Sequence, residues 1–252
     1  MIISFFEEFP TKKNLAKLSF INFPTKIYLA AKSLKEFNTI RSSIKNKYVQ
    51  EVIYWPTLEK KEGYWISPFS KRQALKRIFA EANHEAKDVP IMLDLELPTT
   101  QNPWLYFTQF YDFFSNKRLI QKFINNYNND IYLAEYYPCG KIKEALLELL
   151  GLHFSPSSKK MHIIKMAYHS MHHFDRNKFT ALIKEGKKEF DKKYLVAFGT
   201  IAKGITTHEA LLSSRQLEED ITIAKKAGIS EIIIFRLGGL NKEYASVIKK
   251  TP

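Results

Sequence analysis

The sequence predicts an α/β fold, a single (β/α)8 TIM barrel formed by residues 1–252. Three observations predict it. Eight apolar runs of strand length recur along the chain, each bounded by turn-forming residues. Helical patterns alternate with them, which argues for a parallel sheet. The length of 252 residues matches the roughly 250 that eight βα units take. An open doubly wound sheet would want a glycine-rich phosphate turn after an early strand, and the sequence has none.

The predicted strands are Ile2–Phe6, Lys26–Ala31, Glu51–Trp55, Ile91–Glu96, Ile131–Tyr136, His162–Tyr168, Leu195–Thr200 and Glu231–Arg236. Each is followed by a helical pattern. The first two run over Thr11–Phe20 and Ser33–Lys45. The third, Ser70–Glu85, opens on a serine cap and repeats Ala74, Leu75, Ile78 and Phe79 at helical spacing. Trp104–Asn126 and Lys141–Leu150 come next, the latter stopped by Gly151. Asp175–Phe190, His208–Ala227 and Asn241–Lys249 complete the set, with Gly228 closing the seventh helix. No linker or second domain interrupts this rhythm.

Composition narrows the partners. A hydrophobic fraction of 45% can bury a barrel core. The single cysteine, Cys139, excludes an internal disulfide and a cysteine-built zinc site. The first residues, Met1–Glu8, lack the basic start of a signal peptide, and no apolar run nears the roughly 20 residues of a membrane span. A cytoplasmic protein without a membrane partner is expected. The net charge is +13, but the lysines are scattered in pairs over helix faces and turns. That pattern reads as a solvated basic surface rather than a nucleic-acid footprint.

Barrel enzymes place their chemistry at the carboxyl ends of the strands. There the sequence sets Glu7 and Glu8, Trp55, Asp94 and Glu96, Glu135 and Tyr136, Tyr168 and His169, Thr200 and Arg236. Asp94 and Glu96 stand two apart, so alternation sends both to one face with Cα atoms about 6.6 Å apart. Carboxylates held close raise at least one pKa, which keeps a proton available for general-acid work. Glu135, on the next strand about 4.8 Å away, is the expected second carboxylate, nucleophile or electrostatic partner. Only one of Glu7 and Glu8 can face inward, and Glu8 is the substrate-side candidate. Arg236 would offset the negative charge. Trp55 and Trp65 flank a long third loop and offer ring faces for a sugar. Trp104, Tyr106 and Phe107 read in part as the buried face of a helix. His169, His172, His173 and Asp175 cluster after strand six; they read as a solvated loop, with the alternative that His169 and His173 share one helix face and bind a metal, and His169 and Tyr136 are substrate-binding candidates. No Gly-x-Ser-x-Gly elbow or Ser-His-Asp arrangement is identifiable.

Two short motifs resemble the family 18, chitinase-like glycoside hydrolases. Asp94-Leu95-Glu96 matches the end of that family's strand-four signature, and Met166-Ala167-Tyr168 matches its strand-six Met-x-Tyr. The resemblance implies that Glu96 protonates the glycosidic oxygen and that Asp94 orients the substrate's N-acetyl group. It implies that Tyr168 hydrogen-bonds that acetamide. Earlier signature aspartates are replaced by Met92 and Pro90, and the residue after Met-x-Tyr is His169. Asp-x-Glu on a barrel strand is also found in family 25 lysozyme-like hydrolases.

The expected activity is therefore hydrolysis of a glycosidic bond, possibly in an N-acetylated glycan, with a carbohydrate partner and no cofactor. Two alternatives stand beside it. Asp94, Glu96, Glu135 and His169 would suit Mg²⁺ or Mn²⁺ in a metal-dependent sugar isomerase or lyase. A barrel that only binds a glycan or a protein would keep the same rim without turnover.

Overall fold

The computed structural model describes residues 1–85, 88–137, 140–155, 160–168, 175–205, 207 and 210–250. Eight strands form a closed barrel in chain order: β1 (Ile2–Glu7), β2 (Thr25–Ala31), β3 (Val49–Pro56), β4 (Ile91–Leu95), β5 (Ile131–Tyr136), β6 (Met161–Met166), β7 (Tyr194–Phe198) and β8 (Glu231–Phe235). The register is parallel wherever it is defined, including β8 against β1. The helices are α1 (Lys12–Leu15), α2 (Leu34–Ser43), α3 (Arg72–Glu85), α4 (Leu105–Thr108), α5 (Phe113–Asn126), α6 (Lys141–Leu149), α7 (Arg176–Phe190), α8 (Ser214–Lys226) and α9 (Lys242–Lys250). The (β/α)8 expectation holds.

Differences lie at element ends. Thr11 and Asp175 cap α1 and α7, accepting from the Asn14 and Lys178 amides at 3.2 and 2.8 Å. Ser70 does not cap α3; its hydroxyl turns back to the Trp65 carbonyl at 2.8 Å and fixes the long loop. The helix expected from His208 starts at the Ser213 cap instead. The pattern Trp104–Asn126 splits into α4 and α5, because its aromatic residues do not form one buried stripe. Gly151 and Gly228 take φ of 68° and 73°, the left-handed conformation that lets a helix stop without a Cβ clash.

Two compact units make up the chain. The first comprises residues 1–30, 39–53 and 164–252, the second residues 31–38 and 54–163. In the first unit, alternation sorts β1, β7 and β8 into two faces. Phe5, Phe198 and Ile234 share the face that packs on α7, where Phe179 meets Phe198 edge-on at 5.9 Å. The other face carries Ser4, Phe6, Tyr28, Glu231 and Phe235, so this is the inner side. Phe6 contacts the Tyr28 and Phe235 rings at 5.3 and 6.3 Å. At the amino end of β8, buried Glu231 accepts from Ser4 and Tyr28 hydroxyls at 2.7 and 2.9 Å and lies 3.5 Å from Lys26 Nζ. A buried carboxylate needs such partners.

In the second unit Tyr54 pairs with Ile91, and Phe37 of α2 packs on Tyr54 at 5.0 Å. The face of Ile91, Leu93 and Leu95 therefore looks toward the helices. Met92 and Asp94 take the inner face, beside Tyr132 and Ala134 of β5. Phe79 of α3 stacks on Phe123 of α5 at 4.2 Å, and this pair joins the two helices outside the sheet.

α7 approaches β7 at a glycine. A Cβ built on Gly186 would lie 2.3 Å from the Tyr194 ring. Gly186→Ala is expected to destabilise the protein by about 1–3 kcal/mol through overpacking. A urea titration reads this as a lower midpoint at unchanged slope. An unchanged midpoint would mean that the ring can move aside and that the contact is loose.

Candidate active site

The carboxyl ends of β4 and β5 bring three candidate side chains together. Asp94, buried to 5% exposure, is the penultimate residue of β4. Glu96 lies one residue past the strand and is half-buried. Tyr136 ends β5, and its hydroxyl donates to Glu96 Oε2 at 2.8 Å. Burial, then the Glu96 and Asp94 charges, push the Tyr136 phenol far above its usual range. It is thus a fixed proton donor at every ordinary pH. Strand alternation accounts for the grouping, since Asp94, Glu96 and Tyr136 share one parity in the β4–β5 register.

Trp55 belongs to the same side. With Tyr54 opposite Ile91, Trp55 falls beside Met92 on the inner face. It is buried at 3% exposure, and Trp65 at 6%. Both were expected to display their rings. Trp65 is instead packed edge-on against Tyr64 at 5.3 Å. The long loop folds inward, and the Ile66 amide donates to the Asp94 carbonyl at 2.9 Å, which fixes the end of β4.

Glu135 does not join this group. It pairs with Leu95 and so points to the helix side, opposite to Asp94. There His153 Nδ1 lies 2.8 Å from Oε2, and the Phe154 amide donates to Oε1 at 3.0 Å. Its role is to tie the segment after α6 to the sheet. The expectation of a catalytic Glu135 is corrected by parity: strand proximity is not enough when the side chain leaves by the other face. Of the four residues of the expected metal set, Glu135 leaves by the face opposite to Asp94, and His169 lies outside the described residues. Cys139, His172 and His173 lie outside them as well.

Arg236 is also corrected. It was expected to face the rim acids as a substrate contact. Its Nη1 pairs with Glu7 Oε1 at 3.1 Å, its Nε donates to the Lys203 carbonyl at 2.9 Å, and its guanidinium lies 4.8 Å from the Phe9 ring centroid. Glu7, fully enclosed, also accepts from the Phe9, Gly238 and Asn14 N–H groups at 2.9, 2.7 and 3.2 Å. The Gly238-Gly239 turn thus serves a carboxylate of the chain itself. Glu8 is buried and by alternation follows Phe6 to the inner side. Tyr168, two residues past β6, is buried with its ring edge-on to Phe235 at 5.9 Å.

The roles of His153 and Asn14 were missed. Asn14 sits within the predicted first helix and His153 two residues past a glycine stop, and neither position signals a carboxylate partner far away in the chain.

The sequence matches no protein-family model and no curated protein sequence. Solved structures do match. A GH18 chitinase from Pseudoalteromonas aurantia superposes with TM-score 0.61 at 9% identity, over 99% of both chains. A class V chitinase from Nicotiana tobaccum gives 0.55 at 10%, over 98% of this chain and 97% of that one. The PgaB (BpsB) glycoside hydrolase domain from Bordetella bronchiseptica gives 0.53 at 9%, over 97% and 95%. The protein has a chitinase-like TIM-barrel fold, and at this identity the likeness is one of fold.

Burial raises Glu7 above the ordinary carboxylate range, and Arg236 and the three N–H donors offset only part of this. Because the folded value exceeds the unfolded one, stability falls as pH rises through the folded value. Arg236→Met raises that value further. It is expected to cost about 3–5 kcal/mol at neutral pH, where a buried charge loses its partner. The deficit should shrink in urea titrations at lower pH, because protonation of Glu7 removes the unpaired charge. An equal deficit at both pH values would assign Arg236 a packing role on Phe9 instead.

Proposed function

We propose that this protein hydrolyses a glycosidic bond in an N-acetylated glycan, with Glu96 as the general acid. The observation that carries the reading is the grouping of Asp94, Glu96 and Tyr136 on one face at the carboxyl ends of β4 and β5, with Tyr136 donating to Glu96 at 2.8 Å. Asp94 is enclosed, whereas Glu96 and Tyr136 are half-buried, so Glu96 is the carboxylate of the trio that a substrate oxygen can reach.

In the first step the bond from the anomeric carbon to the leaving oxygen breaks, and that oxygen takes the proton of Glu96. The carboxylate so formed accepts the Tyr136 hydrogen bond, which stabilises it as charge develops. A retaining enzyme needs a nucleophile, and Glu135 is turned away. That favours the route in which the oxygen of the substrate's own acetamide attacks the anomeric carbon, with Asp94 holding the N–H. Water then attacks the cyclic intermediate, gives its proton back to Glu96 and regenerates the acetamide.

Glu96→Gln should lower turnover of chito-oligosaccharides and chromogenic glycosides by at least about 10²-fold while the fold persists. EDTA should leave the wild-type rate unchanged. Full activity in Glu96→Gln would refute the assignment, and EDTA-sensitive turnover would favour the metal enzyme. Ligand binding without turnover in the wild type would make the chain a binding barrel.

Tyr136→Phe offers a finer test. Removing a donor to the charged carboxylate raises the Glu96 pKa. A general acid works only while protonated, so the alkaline limb of kcat/KM should move to higher pH. A limb that stays in place would show that Glu96 is not the group titrating there.

A further inference from the structure

The segment that leaves the site after Glu96 ends in a surface unlike the rest of the protein. Trp104, Phe107, Phe110, Tyr111 and Phe114 project outward from α4, the turn after it and the start of α5. Trp104 is 73% exposed and Tyr111 94%. Trp104, Phe107, Phe110 and Phe114 recur every three or four residues, with Tyr111 next to Phe110, along a run of turns joined by amide hydrogen bonds such as Phe107 N–H to the Trp104 carbonyl and Phe110 N–H to the Phe107 carbonyl. The sequence reading had assigned part of this stretch to a buried face.

The display is held in place from beneath. Leu105 is buried, and Tyr106 and Phe113 pack on Phe69 at 4.7 and 5.0 Å. Asn116 donates to the Pro68 and Ser70 carbonyls, each at 3.0 Å, and Arg72 reaches Ser115 and Asn116 at 2.7 and 3.1 Å. A second apolar stripe lies on α6, where Ile142, Leu146 and Leu149 are exposed at helical spacing. Lys117 of α5 joins the two, donating to the Glu148 and Leu149 carbonyls at 2.8 and 2.9 Å. Eight of the ten large exposed apolar side chains among the described residues fall on these stretches. Such clustering marks an interaction surface rather than scattered exposure.

Charge decides what covers it. Residues 97–111 carry no charged side chain at all. Of the nearby acids, Asp112 lies 3.9 Å from Arg72, and Glu62 pairs with Arg77 at 2.9 Å. Glu144 of α6 lies 3.4 Å from His153 Nε2, and the exposed Glu148 remains, against Lys60, Lys61, Lys117, Arg118, Lys122 and Lys143. The rim is basic, and Asn102 brings the Lys60-Lys61 turn to it through the Lys61 carbonyl. A second copy would oppose the same basic rim, in a chain of net charge +13, so self-association is disfavoured by repulsion. Aromatic side chains ringed by lysine and arginine suit the headgroup layer of an anionic bilayer, where rings enter the interface and cations meet lipid phosphates.

We propose that this aromatic face docks the protein on an anionic lipid surface. No helix among the described residues is long and apolar enough to cross a membrane, so the contact is peripheral. The proposal is independent of the hydrolase reading.

Trp104 supplies the probe, because Trp55 and Trp65 are buried. The full chain is mixed with vesicles of phosphatidylcholine alone or with phosphatidylglycerol. Co-sedimentation and a blue shift of tryptophan emission are expected with the anionic vesicles, both weakening with added salt. Trp104→Ser with Tyr111→Ser should reduce sedimentation about tenfold or more while the circular dichroism stays native. Lack of vesicle binding by the wild type would overturn the proposal. So would vesicle binding that the double variant retains, which would place the contact elsewhere. Self-association, or retention on an insoluble glycan, that is lost in the double variant while vesicles go unbound would assign the face to those occupants instead.

Discussion

The pairing of Asp94 with Ala134 and of Leu95 with Glu135 governs the chemistry at the end of β4 and β5. In a parallel pair, side chains opposite each other leave by the same face, so a single register sets the direction of every acid on both strands. Asp94 goes inward and carries Glu96 with it. Glu135 goes toward the helices. Tyr136, one residue later, returns to the inner face and reaches Glu96. A slip of one residue would exchange Glu135 for Tyr136 and put two carboxylates against Asp94 without a donor.

The same rule applies in the first unit. Glu7 shares the parity of Phe5 and leaves toward the helical side, where Arg236, Asn14 and the Gly238 amide close around it. Glu8 takes the other side. Desolvating a carboxylate is costly, and each enclosed acid here meets that cost in its own way. Glu7 has a guanidinium and three N–H donors, Glu135 an imidazole and an amide, and Glu231 two hydroxyls and an ammonium. These acids hold elements together. They are enclosed by the chain and present no surface to a solute. Glu96 is half-exposed, and on the proposed reading that exposure is what lets it exchange a proton with a substrate.

The barrel was legible because it rests on period. Eight apolar runs and the helical spacing between them survive errors of a residue or two at each end. The site depends on parity, which does not. Asp94 and Glu96 lie on one strand, two apart, so their common face followed from spacing alone. The relation of Glu135 to Asp94 needed the register between strands, and nothing local in either strand specifies it. Arg236 was legible as a charge at a strand end, but its partner Glu7 is 229 residues away. Trp55 and Trp65 were read as displayed because their loop is long. The loop is long because it folds back over the end of β4, through the Ile66 amide and the Ser70 hydroxyl, and buries both rings. The exposed aromatics after Glu96 escaped for the opposite reason. Apolar residues at helical spacing ordinarily mean a buried face, and only the packing of Phe69 beneath Tyr106 and Phe113 shows which side is already occupied.

That arrangement links the site to the surface beyond it. Within about twenty residues the chain passes from Asp94 to Phe114. Tyr106 lies between them, hydrogen-bonded to Thr99 at 2.6 Å and close enough to Tyr136 to contribute to the rise of its pKa. Tyr106 thus belongs to the surroundings of the acid pair, while its neighbours Trp104 and Phe107 belong to the outward face. The loop from Pro56 to Lys71 supports both, since Ile66 fixes the end of β4 and Phe69 carries the aromatic segment. One loop therefore sets the position of Asp94 and the presentation of the aromatic face. A change at Phe69 would disturb the two together, whereas a change at Trp104 or Tyr111, whose rings point into solvent, would leave the acids where they are.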